Sequence, residues 1–113
     1  MWCVTFSVLY DLVWADCDYW QKDRRGRAII EQIIRSAGSI SANIEEGFGR
    51  GFGRDYARFL KFALGSARET QGWYWRGRKL LPPKVHQHHI AWLDEINALP
   101  VIEINRQTKK APR

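Results

Sequence analysis

The histidines are the residues that most directly suggest chemistry, because all three lie between positions 86 and 89. His86 and His89 stand one helical turn apart, a spacing at which two imidazoles can share a metal ion. No carboxylate or cysteine stands where it would complete the site, and a helix here needs His89 on its buried face. The sequence therefore predicts no metal site and no cofactor.

Paired carboxylates are the next candidates, and they occur as Glu45–Glu46 and Asp94–Glu95. Neighbouring residues of a helix point about 100° apart, so neither pair can hold two carboxylates face to face. No nucleophile and base can be matched without knowing the fold. We therefore expect no catalytic residue and no enzymatic activity.

The segment GFGRGFGR at residues 47–54 looks at first like a phosphate-binding loop. A P-loop continues into Gly-Lys-Ser/Thr and a dinucleotide fingerprint follows a strand, and neither feature is present. The glycines instead predict a corner between two helices. Arg50 and Arg54 remain able to contact phosphate there.

A second cationic segment mixes aromatic and basic residues. Trp73, Tyr74 and Trp75 directly precede Arg76, Arg78 and Lys79. This composition suits base stacking with phosphate contact, and it equally suits a subunit interface. The six tryptophans of the chain exceed what one small core easily holds, so some should face a partner.

The overall composition indicates one globular domain of 113 residues with a net charge of +6. Such a charge favours polyanions, although it is also compatible with an incidentally basic protein. Cys3 and Cys17 lack metal-type spacing and predict reduced thiols. The N-terminal run lacks the features of a signal peptide, so we expect a cytoplasmic protein without a membrane segment.

Glycines and prolines divide the chain into four stretches, each long enough for a helix. Asp23 is placed to cap the second helix, and Pro83 to begin the fourth. Pro100 should kink or break that fourth helix. The predicted helices span roughly 4–21, 27–48, 54–81 and 83–106, with a frayed basic tail at 107–113.

Apolar residues at helical spacing predict which faces are buried. The second helix has the clearest period. The predicted inward residues are Val4, Val8, Leu12, Trp14 and Tyr19; Ile29, Ile33, Ala37, Ile40, Ile44 and Phe48; Tyr56, Phe59, Leu60, Ala63, Leu64 and Ala67; and Val85, His89, Trp92, Ile96 and Leu99.

The residues SISANIEEGFGR at 39–50 and DYARFLKFALGSARET at 55–70 resemble a known family. They are similar to the four-helix-bundle proteins encoded in intervening sequences of large-subunit ribosomal RNA genes. That family includes the accessory variability proteins of diversity-generating retroelements. The resemblance covers residues 28–71, with Ser41, Glu45 and Ile34 departing from its pattern.

This resemblance implies an antiparallel up-down bundle that assembles into a homopentameric ring with a basic surface. It also implies RNA as a partner, and a reverse transcriptase in the retroelement branch. The alternative is a purely structural protein-interaction bundle. The residues expected to contact phosphate are Arg50, Arg54, Arg58, Arg76, Arg78 and Lys79; Trp73, Tyr74 and Trp75 are expected to stack or form an interface, and Asn43, Glu46, Ser66 and Glu69 to form a structural polar core.

Overall fold

Four α-helices make up the described protein, and this part of the chain contains no strand. The computed structural model describes the backbone of residues 2–51 and 53–110 and the side chains of residues 5–51 and 53–109. The predicted all-α class is confirmed. The elements are α1 (Trp2–Trp20), α2 (Arg24–Gly49), α3 (Arg54–Arg76), a 3₁₀ turn (Arg78–Leu80) and α4 (Pro83–Lys110).

Successive helices pack on each other around one core. Ser36 of α2 shares a hydrogen bond of 2.8 Å with Thr70 of α3, and the Gln71 amide of α3 donates to Asp94 of α4. Asp23 caps α2 as predicted, since its carboxylate accepts from the Arg25 backbone N–H at 2.8 Å. Within the described ranges, none of the helices has the length and apolar run that a membrane crossing needs.

The buried face of α1 differs from the predicted one. Val8, Trp14 and Tyr19 are exposed, Trp14 by 63%. The prediction was wrong because the true stripe contains an aspartate, which interrupts the apolar pattern from which a buried face is identified. Val4 and Cys3, named in the predictions, lie outside the described side chains. The side chains of α1 that are buried are Phe6, Leu9, Val13, Asp16 and Trp20.

The predicted faces of the other helices are largely confirmed. Phe48 is the exception in α2, because it lies in the last turn, is exposed, and contacts only the edge of the core through the Tyr56 ring at 5.2 Å. The predicted residues that are only half-buried are Ile29 in α2, Phe59 and Leu64 in α3, and Val85, Trp92 and Leu99 in α4. The predicted residues that are buried are Ile33, Ala37, Ile40, Ile44, Tyr56, Leu60, Ala63, Ala67, His89 and Ile96.

Two helix ends also differ from prediction. α3 ends at Arg76 rather than at 81, and a 3₁₀ turn follows. α4 does not break at Pro100 and includes residues 107–110, so the expected tail is helical that far. Ile104 and Gln107 are buried beyond the proline, and their packing stabilises the extra turns. Residues 111–113 of the expected tail lie outside the described residues.

Candidate nucleic-acid interface

The connections between α1 and α2 and between α3 and α4 meet in space. The Trp20 indole N–H donates to the Gly77 carbonyl oxygen at 2.9 Å, and the Trp20 and Tyr74 rings lie 5.4 Å apart. This contact joins two basic segments, residues 22–27 and 76–84. We call their cations the basic end; they are Lys22, Arg24, Arg25, Arg27, Arg76, Arg78, Lys79 and Lys84.

The two segments of the basic end contain little negative charge of their own, and the neighbouring carboxylates Asp18 and Glu31 line a pocket with Arg27. All cations of the basic end are exposed except the half-buried Arg78. The two segments contain one carboxylate, that of Asp23, which pairs with Arg25 at 2.9 Å. Hydrogen bonds from Arg25 hold the pKa of Asp23 well below its usual range. Among the described side chains, none of the other cations of the basic end forms an ion pair.

Aromatic rings lie directly under two of these cations. The Arg78 guanidinium carbon is 3.7 Å from the centre of the Trp75 ring, and Arg78 also donates to the Trp75 carbonyl oxygen at 2.9 Å. Arg76 lies 4.8 Å over Trp73. Trp75 is 57% exposed, whereas Trp73 is half-buried and donates its indole N–H to Glu69 at 3.2 Å. Both tryptophans therefore belong to the cationic surface.

His86 adjoins this surface without adding to its charge. Its ring lies 6.3 Å from that of Trp75. Burial lowers the pKa of His86, and the nearby positive charge of Arg78 lowers it further. The imidazole is therefore mainly neutral at pH 7.

The other predicted phosphate contacts lie elsewhere. Arg50 and Arg58 surround Asp55 at the α2–α3 corner, at 3.7 and 3.3 Å, and Arg50 also pairs with Glu46 at 3.2 Å. Arg54 is exposed and has no ion pair among the described side chains. With 23 residues in α3, the corner is about 33 Å along the helix from the basic end. The six predicted residues therefore form two separate groups.

The glycine-rich segment is the predicted corner. Gly51 and Gly53 have φ of 92° and 85°, a region that favours glycine. The buried Gly53 N–H donates to the Gln107 side chain at 2.9 Å, which ties the corner to α4. Gly49 ends α2 in helical geometry and does not share the positive φ.

The predicted polar core is only half correct. Asn43 donates to the Ser39 hydroxyl at 3.0 Å, and Ser66 donates to the same oxygen at 3.0 Å. Glu46 and Glu69 do not belong to a core, because their side chains are 54% and 41% exposed and contact surface arginines. The two glutamates lie on the solvent side of α2 and α3. The sequence alone does not show how each helix is rotated about its axis, so it did not reveal this placement.

A buried polar cluster was missed by the sequence analysis. The Tyr74 hydroxyl donates to the Asp16 carboxylate at 2.6 Å, and His89 Nδ1 lies 2.7 Å from the same oxygen, in a close contact that lacks hydrogen-bond alignment. Burial, followed by the hydrogen bond to Asp16, raises the pKa of Tyr74. Tyr74 was predicted to stack or form an interface, which is wrong because its side chain is fully buried. The sequence signal that could have revealed this cluster is Asp16, which is spaced along α1 like the buried residues of that helix.

Metal chemistry finds no support in this cluster or elsewhere in the described part of the chain. No group of three His, Cys, Asp or Glu side chains there is arranged to hold an ion. The Asp16 carboxylate accepts from Tyr74 and contacts His89, so it serves as the polar junction of α1, α3 and α4.

Comparison with known proteins decides the family. A family model described as 23S rRNA-intervening sequence protein matches residues 8–99. The chain belongs to this family. The match extends well beyond residues 28–71, where the resemblance was recognised, and includes both segments of the basic end. No curated protein and no solved structure gives a significant match. The family description gives the place of the gene and states no activity.

Proposed function

We propose that this member of the family is a non-enzymatic scaffold that binds RNA through its basic end. The observation that carries the proposal is the hydrogen bond between Trp20 and Gly77, which brings two basic segments together. The two segments bring eight cations together and contain one carboxylate of their own. Clustered cations of this kind neutralise phosphates and release counterions, which is the main source of non-specific affinity for nucleic acids.

The lack of local ion pairs supports the basic end over the α2–α3 corner. A cation already held by a carboxylate has to lose that partner before it can bind phosphate. Arg50 and Arg58 share Asp55, whereas Lys79 and Lys84 have no acidic partner among the described side chains. The basic end therefore presents more available charge for each residue.

The scaffold is an up-down bundle in this proposal. Contacts pair Ser36 with Thr70 and Ser39 with Ser66, so residues later in α2 meet residues earlier in α3. The tie between Gly53 and Gln107 extends the same relation to α3 and α4. Short connections between successive helices are typical of this topology.

Salt-dependent binding of single-stranded RNA of mixed sequence tests the basic end. The variant Lys79→Ala/Lys84→Ala removes two exposed charges there, and Lys61→Ala/Lys109→Ala removes two exposed lysines remote from it. We expect the first variant to flatten the slope of log K against log salt by about 1 to 2 units. The control should change it by less than half as much. Identical slopes would reject the basic end as the binding surface.

The same assay tests the non-enzymatic part of the proposal. End-labelled RNA incubated with the wild-type protein should remain at full length on a denaturing gel. Cleavage that copurifies with the protein and disappears in a variant of the buried cluster, such as His89→Gln, would contradict it.

The proposed scaffold assembles from several copies, most simply as a homopentamer. Exposed apolar side chains on α1 and α4, among them Val8, Trp14 and Ile102, support association. Light scattering at micromolar concentration should give a mass near five times the 13.2 kDa of one chain. A monomeric mass would contradict the assembly without affecting RNA binding.

The biological partner is either a ribosomal RNA element or a reverse transcriptase with its template RNA. A gene for a reverse transcriptase beside paired template and variable repeats would favour the second. In that case the tagged protein should retain the reverse transcriptase in a pull-down, and Lys79→Ala/Lys84→Ala should reduce the RNA recovered.

A protein-interaction bundle with incidental charge is the second candidate. The observation that favours it is Trp14, which is 63% exposed on α1 and lies outside the two basic segments. If the wild-type protein binds no RNA at low salt while Trp14→Ser changes its association state, this second function replaces the first.

A further inference from the structure

Trp75 is one of the large exposed side chains that packing in the core does not explain. It is 57% exposed and lies outside the hydrophobic core, whereas its neighbour Tyr74 is fully buried. A large aromatic ring kept in water gives up much of the stabilisation that its burial could provide. Its place within the basic end suggests that the ring has a ligand.

One face of the Trp75 ring has a fixed neighbour. Arg78 covers one face at 3.7 Å and is itself anchored by the hydrogen bond to the Trp75 carbonyl oxygen. The turn that carries Arg78 is held by the contact between Gly77 and Trp20. Trp75 and Arg78 therefore form a flat, cationic layer, which we call the Trp75–Arg78 layer, on a rigid part of the bundle.

Unpaired nucleobases fit such a layer, because a base stacks on an aromatic ring or a guanidinium plane through its own flat face. Bases inside an A-form duplex are stacked on each other and do not offer that face. Cations alone bind the phosphates of both forms and do not separate them. A stacking layer among cations therefore distinguishes single strands from duplexes.

We propose that the basic end selects single-stranded RNA by stacking an unpaired base on the Trp75–Arg78 layer. Lys79 and Lys84 contact the flanking phosphates. This inference rests on the proposed function, which it narrows to one class of RNA. Trp73 is not the stacking residue, because it is half-buried and its indole N–H is engaged with Glu69.

The test compares a labelled single-stranded RNA of about 12 nucleotides with the duplex of the same sequence. The site size of single-strand binding proteins sets this length. The proteins are wild type, Trp75→Ala, Trp75→Phe and Phe62→Ala, the last removing an exposed aromatic ring that lies beside Arg58, outside the basic end. Circular dichroism and the unfolding midpoint confirm that each variant is folded.

We expect Trp75→Ala to weaken single-strand binding about tenfold, the typical loss for one stacked base. Its duplex affinity should stay within about twofold of wild type, since no charge is removed. Trp75→Phe should retain most of the single-strand affinity because it keeps a ring. Phe62→Ala should change neither affinity.

Three outcomes would overturn the inference: wild-type protein that binds duplex as tightly as single strand, Trp75→Ala with unchanged affinities, or Trp75→Ala with equal losses for both RNAs. RNA binding that still depends on Lys79 and Lys84 would then leave the proposed function standing. Absence of all RNA binding at low salt would remove both proposals.

Discussion

The two ends of α3 both carry arginines, and their surroundings differ. At the α2–α3 corner, Arg50 and Arg58 contact Asp55, and Arg50 also contacts Glu46. At the basic end, Arg76 and Arg78 lie over tryptophan rings and have no acidic partner among the described side chains. Arg50 and Arg58 are therefore held by carboxylates at one end of α3, whereas Arg76 and Arg78 at the other end are not.

The glycines at the two ends also have different roles. Gly51 and Gly53 have positive φ, so the corner uses them for their backbone freedom. Gly77 has an ordinary φ of −93°, and its importance is the space beside it. A Cβ there would lie 2.4 Å from the Trp20 indole nitrogen. The same residue type thus allows a turn at one end and a close contact at the other.

The largest expected loss of stability comes from adding a Cβ at this close contact. Gly77→Ala should lower the free energy of unfolding by about 1 to 3 kcal/mol, because the buried Trp20 cannot move aside without strain. Gly49→Ala is the control, since a Cβ there meets no atom within 4 Å and alanine favours helix by about 1 kcal/mol. Urea denaturation measures both. Equal losses would show that packing at Gly77 is not the cause.

The buried polar contact near each end provides the next comparison. Tyr74→Phe removes the donor to a buried carboxylate and should cost about 1 to 3 kcal/mol. Gln107→Ala removes the acceptor of the Gly53 N–H and should cost less, because the group left unpaired is neutral. Thermal and urea unfolding give the order. A larger loss of unfolding free energy for Gln107→Ala than for Tyr74→Phe would contradict this order. The buried hydrogen bond at the corner would then contribute more to stability than the one near the basic end.

Removing the shared carboxylate should make the two ends more alike. Asp55→Asn frees Arg58 and leaves Arg50 paired with Glu46 alone, and we expect RNA affinity at low salt to rise a few-fold, with a slope steeper by about one unit. Asp11→Asn is the control, because it changes the net charge equally from an exposed position on α1. If the two variants raise RNA affinity equally, net charge explains the gain and the pairing at the corner has no special effect.

The smallest expected effect is on the ionisation of Cys17, a residue of α1 that lies close to the basic end. Burial raises the pKa of the Cys17 thiol from 9.0 to about 11, and Asp16 and Asp18 contribute. Because the folded-state pKa is raised, the buried neutral thiol makes its full contribution to the free energy of unfolding below pH 9. That contribution is lost as the pH rises toward 11. In a Cys3→Ser variant, alkylation should have a midpoint near 11 in the folded protein and near 9 in urea. The same midpoint in both states would contradict the effect of burial.

The sequence allowed α2 to be predicted well and α1 poorly, for a physical reason. The buried positions of α2 are mostly apolar, so their period is visible. The buried stripe of α1 contains Asp16, whose burial depends on Tyr74 and His89 from α3 and α4. A single helix does not reveal partners on other helices. The extra turns of α4 were missed for the same reason, since the contact from Gln107 to Gly53 stabilises them.

The candidate site also contains residues that the local sequence identified and residues that only tertiary contacts bring together. Arg76, Arg78 and Lys79 were identified from a local mixture of aromatic and basic residues. The cations at 22–27 were not assigned to that surface, because they lie about 50 residues earlier and only the contact between Trp20 and Gly77 brings them there. Tyr74 was assigned to the surface because its neighbours lie there, although its own side chain is directed into the core.

Local patterns thus determined the all-α class, the glycine corner, the cap of α2 and the family resemblance, since each depends on residues within a few turns of one another. Only the tertiary structure decided which cations keep acidic partners, which tryptophan stays exposed and where a buried carboxylate finds its donor. These outcomes depend on distances between residues far apart in the chain. Packing sets such distances, and the order of residues along one helix does not contain them.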